Sequence, residues 1–177
     1  MLRRSFICMM PALLVAPAAH AHSPWGQYAV YRQKHLLILS TRDDPDSYGY
    51  SKLLVSAINK SAPEASARPA RAVNLDRAYN LLRTDQFQFA LLSKANIDAM
   101  RTASGAFADK SPVDLKTVYR FDNLEFVVLA DFPQRLVSVV TEAVLSNISA
   151  LPGADPPKEL LKLETLHAGA QAVIRNF

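Results

Sequence analysis

Hydrophobic and polar positions fall into blocks along this chain, and each change of period marks an element. Phe6 to Ala19 is an almost uninterrupted apolar run behind Arg3 and Arg4, and Ala19-His20-Ala21 follows it. Charge, apolar core and small residues in that order are the pattern of a cleavable secretory signal. The run is shorter than the roughly 20 apolar residues that a spanning helix needs, and Pro11 and Pro17 interrupt it. A signal over residues 1–21 and one mature domain over 22–177 are therefore expected.

His22 to Lys34 has no clear period and reads as a lead-in. Leu36 to Leu39 is a short continuous apolar run, suited to a strand buried on both faces. After a loop from Ser40 to Asp46, Tyr50, Leu53, Leu54, Ala57 and Ile58 recur at helical spacing, with Asp46 or Ser47 placed to cap the helix. Ala67 to Val73 predicts a second strand, which Pro69 confines to an edge or shortens. Asn74 can cap a helix that buries Leu75, Ala78 and Leu82; Phe87 to Leu92 is the next strand, and Ser93 can cap a short helix through Met100.

Thr102 to Pro112 is small and polar, and reads as a loop. Leu115 to Phe121 and Leu124 to Ala130 predict two more strands, joined at Asp122-Asn123, residue types that tolerate the left-handed backbone of a tight turn. Pro133 opens a helix with Leu136, Val137, Val140, Ala143 and Val144 as its buried stripe. A proline-rich break from Ala150 to Pro157, a short amphipathic piece from Glu159 to Leu163 and a last segment from His167 to Phe177 complete the chain. Strands alternating with helices predict an α/β domain whose mainly parallel sheet is flanked by helices. A ligand is then expected at the carboxyl ends of the strands, where Ser40-Thr41 and Ser93-Lys94 fall.

Composition narrows the chemistry. The one cysteine, Cys8, lies within the expected signal, so the mature domain has no disulfide, thiolate metal site or cysteine nucleophile. The formal charge of +4 falls to +2 once Arg3 and Arg4 leave with the signal, too little to indicate nucleic acid. Arg68, Arg71, Arg77 and Arg83 carry few interleaved aromatics and read as a solvated face. Asp43, Asp44 and Asp46 read as a capping loop, since they lack the glycine and distal glutamate of a calcium loop. His35 and His167 stand apart from any nucleophile elbow or second histidine at metal spacing, so no catalytic residue, metal or cofactor is expected.

Ser47-Tyr48-Gly49-Tyr50 opens one helix, Asn74-Leu75 opens the next, and Thr84-Asp85-Gln86 leads into Phe87-Gln88-Phe89-Ala90-Leu91-Leu92-Ser93. Together these resemble the first lobe of TAXI-type periplasmic solute-binding proteins, receptors of tripartite transporters with the type 2 periplasmic-binding fold. Phe132-Pro133-Gln134-Arg135-Leu136-Val137 to Asn147 is similar to the C-terminal helix of that family, and Leu166-His167-Ala168-Gly169-Ala170 resembles its closing His-Pro-Gly-Ala element. The chain departs from the family in two ways. The strand from Leu124 runs almost directly into the C-terminal helix, so the second lobe is missing, and the glycine-rich first ligand loop is replaced by Arg42-Asp43-Asp44-Pro45-Asp46. The family's glycine-serine turn before its second helix is replaced by Arg71-Ala72-Val73-Asn74.

The resemblance implies an exported, periplasmic, non-enzymatic protein that docks as an accessory to membrane transporter subunits, to a periplasmic partner or to a second copy of itself. The alternative it leaves open is a true receptor holding a small solute on one lobe or across a dimer. Ser40, Thr41, Tyr48, Asn74, Ser93 and Lys94 are the candidate ligand-binding residues. Arg3-Arg4-Ser5-Phe6-Ile7 resembles a twin-arginine motif, although the ordinary Sec route is the one expected. No membrane span is expected after the signal.

Overall fold

A computed structural model describes residues 34–177; the expected signal and the lead-in before Lys34 lie outside the described residues. Helices alternate with strands through β1 (Leu37–Thr41), α1 (Pro45–Ser61), β2 (Arg68–Ala72), α2 (Leu75–Arg83), β3 (Phe89–Ser93) and α3 (Lys94–Thr102). The hairpin of β4 (Leu115–Phe121) and β5 (Leu124–Leu129) follows, and then α4 (Gln134–Ser146), α5 (Pro157–Leu160) and α6 (Ala168–Asn176). The strands form one sheet in the order β2-β1-β3-β5-β4. β1 pairs in parallel with β2 and β3, whereas β5 runs antiparallel to both β3 and β4. Four strands therefore point one way and only β5 opposes them, as the alternation predicts.

Both faces of the sheet are covered, which explains the continuous apolar runs. Leu124, Phe126 and Val128 of β5 look toward the layer of α1, α4 and α6, whereas Val127 and Leu129 look toward that of α2 and α3. Two positions expected in the core lie outside it: Leu53 is 46% and Leu136 is 49% exposed. In α1 the buried stripe runs through Ser47, Ser51, Leu54, Val55 and Ile58, so two serines hold positions that hydrophobicity alone assigns elsewhere. In α4 the stripe turns through Val137, Val140, Thr141 and Val144, which leaves Leu136 on the flank.

The start of α1 also differs from expectation. Pro45 opens the helix behind Asp44, and neither Asp46 nor Ser47 caps it through a side chain. Pro45 pre-sets the helical φ, and its missing N–H is one the helix could not have used. Ser47 instead donates from Oγ to the Asp44 carbonyl at 2.6 Å.

Each sheet edge is closed by a different device. On β2, Arg68 N–H donates to the Leu36 carbonyl and the Ala72 carbonyl accepts from Arg42 N–H. Alternation in a parallel pair then turns the main chain of Pro69 and Arg71 outward, and Pro69 has no N–H to offer there. On the far edge, Thr117 N–H donates to the Thr165 carbonyl at 2.8 Å and His167 N–H to the Thr117 carbonyl at 2.9 Å. Asp155 N–H reaches the Arg120 carbonyl at 3.0 Å. Tyr50 and Tyr119 pin this cover by donating to the carbonyls of Pro152 and Asp155, each at 2.7 Å. Burial raises both phenols well above the usual tyrosine range, so they remain donors at any ordinary pH.

Candidate functional site

β1 and β3 are neighbours, so their carboxyl ends bring Ser40, Thr41 and Ser93 to one edge of the sheet, as the alternation predicts. Ser40 and Thr41 are fully buried there. Ser40 Oγ donates to the Ala70 carbonyl at 2.8 Å, and Thr41 Oγ1 accepts from Asp43 N–H at 3.4 Å. Both hydroxyls join neighbouring segments and neither faces an open space. Asn74 caps α2, its side chain accepting from Arg77 N–H at 2.8 Å. Lys94 is turned toward the β4–β5 end: its N–H donates to the Asn123 carbonyl at 2.7 Å, and Nζ lies 3.8 Å from the Asp155 carboxylate. Tyr48 stands apart on α1, its ring flanked by Lys52 and Arg71.

The acidic loop before α1 controls this edge. Asp43 Oδ2 accepts from Leu75 N–H, the first of α2, at 2.7 Å. Asp44 is buried, and its Oδ2 accepts from Ser93 N–H and, at 3.4 Å, from Asn96 Nδ2. Helix N-termini carry unpaired N–H groups and the positive end of the dipole, which makes them seats for anions. Here two such seats, those of α2 and α3, each receive a carboxylate from one loop. Sequence reasoning placed these carboxylates at the start of α1, whereas only Asp46 lies in its first turn. Ser93 was expected to cap α3 with its side chain; the cap position is its own, but Asp44 supplies the bond.

The two histidines and Glu125 are held by neighbouring segments. His35 Nδ1 lies 3.1 Å from the Ser66 carbonyl. His167 is buried at the start of α6, where Nδ1 accepts from Gly169 N–H at 3.0 Å, so Nε2 bears the proton and donates to the Phe132 carbonyl at 3.2 Å. Burial holds the ring below the usual imidazole range, and the Lys116 charge adds to this against the Phe132 bond. Glu125, which the sequence did not single out, is fully buried on β5. It accepts from Thr117 Oγ1 at 2.6 Å and Arg101 at 2.8 Å, with Arg120 at 3.4 Å, while Arg120 Nε has no partner. Among the described residues no cluster of His, Asp or Glu could hold a metal ion, and no helix is long and apolar enough to cross a membrane.

A cleft of about 910 Å³ lies at the opposite end of the sheet, where Leu36, Phe89, Phe132, Leu136 and Val140 form an apolar floor and Lys34, Glu64, Asp85 and Arg135 contribute charge of both signs. The sequence assigns Leu136 to the buried stripe of α4, whereas it is half exposed at this cleft. No protein-family model matches the chain, and no curated protein proves similar to it.

Proposed function

We propose that the chain is an exported, non-enzymatic docking or accessory protein of a periplasmic or transport system, built on a lobe that resembles a TAXI-type solute receptor. The observation that carries this reading is the seating of the Asp43 and Asp44 carboxylates on Leu75 N–H and Ser93 N–H. At the carboxyl edge of a parallel sheet, a helix N-terminus is where an anionic solute is held. A carboxylate or phosphate arriving here would meet two fixed negative charges and find two N–H groups already bonded. The direct passage from β5 through Asp131, Phe132 and Pro133 into α4 also leaves that edge without an inserted second lobe among the described residues.

The test is a thermal-shift series on the mature chain with acetate, glutamate, citrate and phosphate, alongside affinity capture from a periplasmic extract. A genuine receptor at a hundred times its dissociation constant gains roughly 2.7 kcal/mol. The docking reading expects no saturable shift and a stoichiometric partner. A saturable rise in Tm with one of these anions would overturn it. Export belongs to the same proposal, and its check is a periplasmic product whose first residue is His22.

The receptor reading keeps one supporting feature, the cleft beside Leu136. Its apolar floor suits an apolar solute, and clefts of this size are ordinary for small ligands. A saturable shift with an apolar solute, abolished by Leu136→Glu, would favour that reading.

A further inference from the structure

Of the carboxylates of the β1–α1 loop, Asp44 is buried, while Asp43 and Asp46 are exposed. Asp43 is held on Leu75 N–H and Asp44 on Ser93 N–H, and neither forms an ion pair with the cations around the loop. Arg42 N–H donates to the Ala72 carbonyl at 3.2 Å, which sets Arg42 beside the end of β2. Arg71, on that end of β2, has Cζ 4.9 Å from the centre of the Tyr48 ring, and Lys52, one turn along α1, has Nζ 4.6 Å from it. All three cations are exposed, and none is paired with a carboxylate. At the other side of the sheet, Lys94, Arg101, Lys116 and Arg120 all have acidic partners.

Two cations on one aromatic ring repel each other, and the negative face of the ring is what holds them together. The result is an ordered group of cations that form no ion pair among the described residues. We propose that Arg42, Tyr48, Lys52 and Arg71 form the docking surface for an acidic segment of a partner protein. This deepens the docking reading above and rests on it. The cleft beside Leu136 is not lined by these residues. A small anion would stay hydrated on so open a surface, whereas an extended run of Asp and Glu side chains meets several cations at once. The low net charge of the mature chain favours a protein partner over nucleic acid.

The experiment titrates the full mature chain, in separate series, with a labelled oligoglutamate peptide, a labelled oligolysine peptide and a labelled single-stranded DNA oligonucleotide. Oligoglutamate is expected to bind, more weakly as salt is raised, and Lys52→Glu with Arg71→Glu is expected to lower the affinity about tenfold. Lys158→Glu with Arg175→Glu changes the net charge equally at exposed, unpaired positions elsewhere, and is to leave binding within about twofold. Should the charge-reversed pair fail to fold, Lys52→Gln with Arg71→Gln takes its place and is to show the same direction. No binding by the wild type, equal loss in the control pair, or preference for DNA would each overturn the proposal. A periplasmic partner captured equally by wild type and the Lys52/Arg71 variant would remove this patch but leave the docking reading standing. A saturable thermal shift with one of the small anions would remove the docking reading whatever the patch does.

Discussion

Asp44→Ala removes the carboxylate that joins the β1–α1 loop to α3, and leaves Ser93 N–H and one Asn96 amide hydrogen without that acceptor. Asp44 is only 7% exposed, so water replaces the lost oxygen poorly. A hydrogen bond to a charged acceptor contributes about 1.5–3 kcal/mol, and a negative charge at a helix N-terminus about 0.3–1 kcal/mol. The Asn96 contact at 3.4 Å is long and adds little. The expected loss is about 3 kcal/mol, which in a domain of this size lowers Tm by roughly 6–12 °C. Asp44→Asn keeps an acceptor oxygen and loses the charge, so it is to cost about 1 kcal/mol. Urea unfolding followed by circular dichroism measures both, with an unchanged slope as evidence that the native state stays compact. Formate, small enough to enter the space left by the carboxylate, is to restore part of the loss in the alanine variant and nothing in the wild type. If both variants lie within about 0.5 kcal/mol of wild type, or formate acts on them alike, the carboxylate is not seated on α3 and the docking reading loses its main support.

Four further outcomes follow from the packing. His167 is held neutral in the folded state while the unfolded chain titrates near about 6.5, so the unfolded state binds more protons just below that pH. Stability is then complete above about pH 7.5 and falls as the pH drops through about 6.5 toward the lower folded value; His167→Asn, which can cap α6 without titrating, is to flatten that part of the Tm profile. Gly169→Ala drives a Cβ into the Gln134 carbonyl and to 3.0 Å from Val137 Cβ, and is expected to lose about 1–3 kcal/mol. Gly49→Ala in α1 meets nothing within 4 Å and is to gain about 0.5–1 kcal/mol in the same unfolding assay. Glu125→Ala strands Arg101 and Arg120 beside a buried void, a loss of about 3–5 kcal/mol that chemical denaturation reads directly.

The strands and their edges were legible because their signals are local. Pro69 marks an edge wherever it stands in a sheet, and Asp122, with φ of 45°, takes the left-handed backbone that its residue type favours. The turn of α1 was less legible, because Ser47 and Ser51 are polar by composition and buried by geometry. Asp43 and Asp44 were visible as a charged loop, yet their partners Leu75 and Ser93 lie far along the chain. Their neighbours in sequence pointed to the dipole of α1, and only the crossover of the chain brought the N-termini of α2 and α3 within reach. Glu125 gave no signal, since a single charge inside an apolar strand reads as a solvent-facing position until Arg101 and Arg120 are seen around it.

The guarded outlines of the sheet restrict the kinds of association open to this molecule. With Pro69 on one side and the segments around Asp155 and Leu166 on the other, a foreign strand finds few backbone groups to pair with. A companion must instead be read through side chains, and such recognition can be retuned by a few substitutions without disturbing the scaffold. The same frame is thus free to exchange one companion for another over evolutionary time.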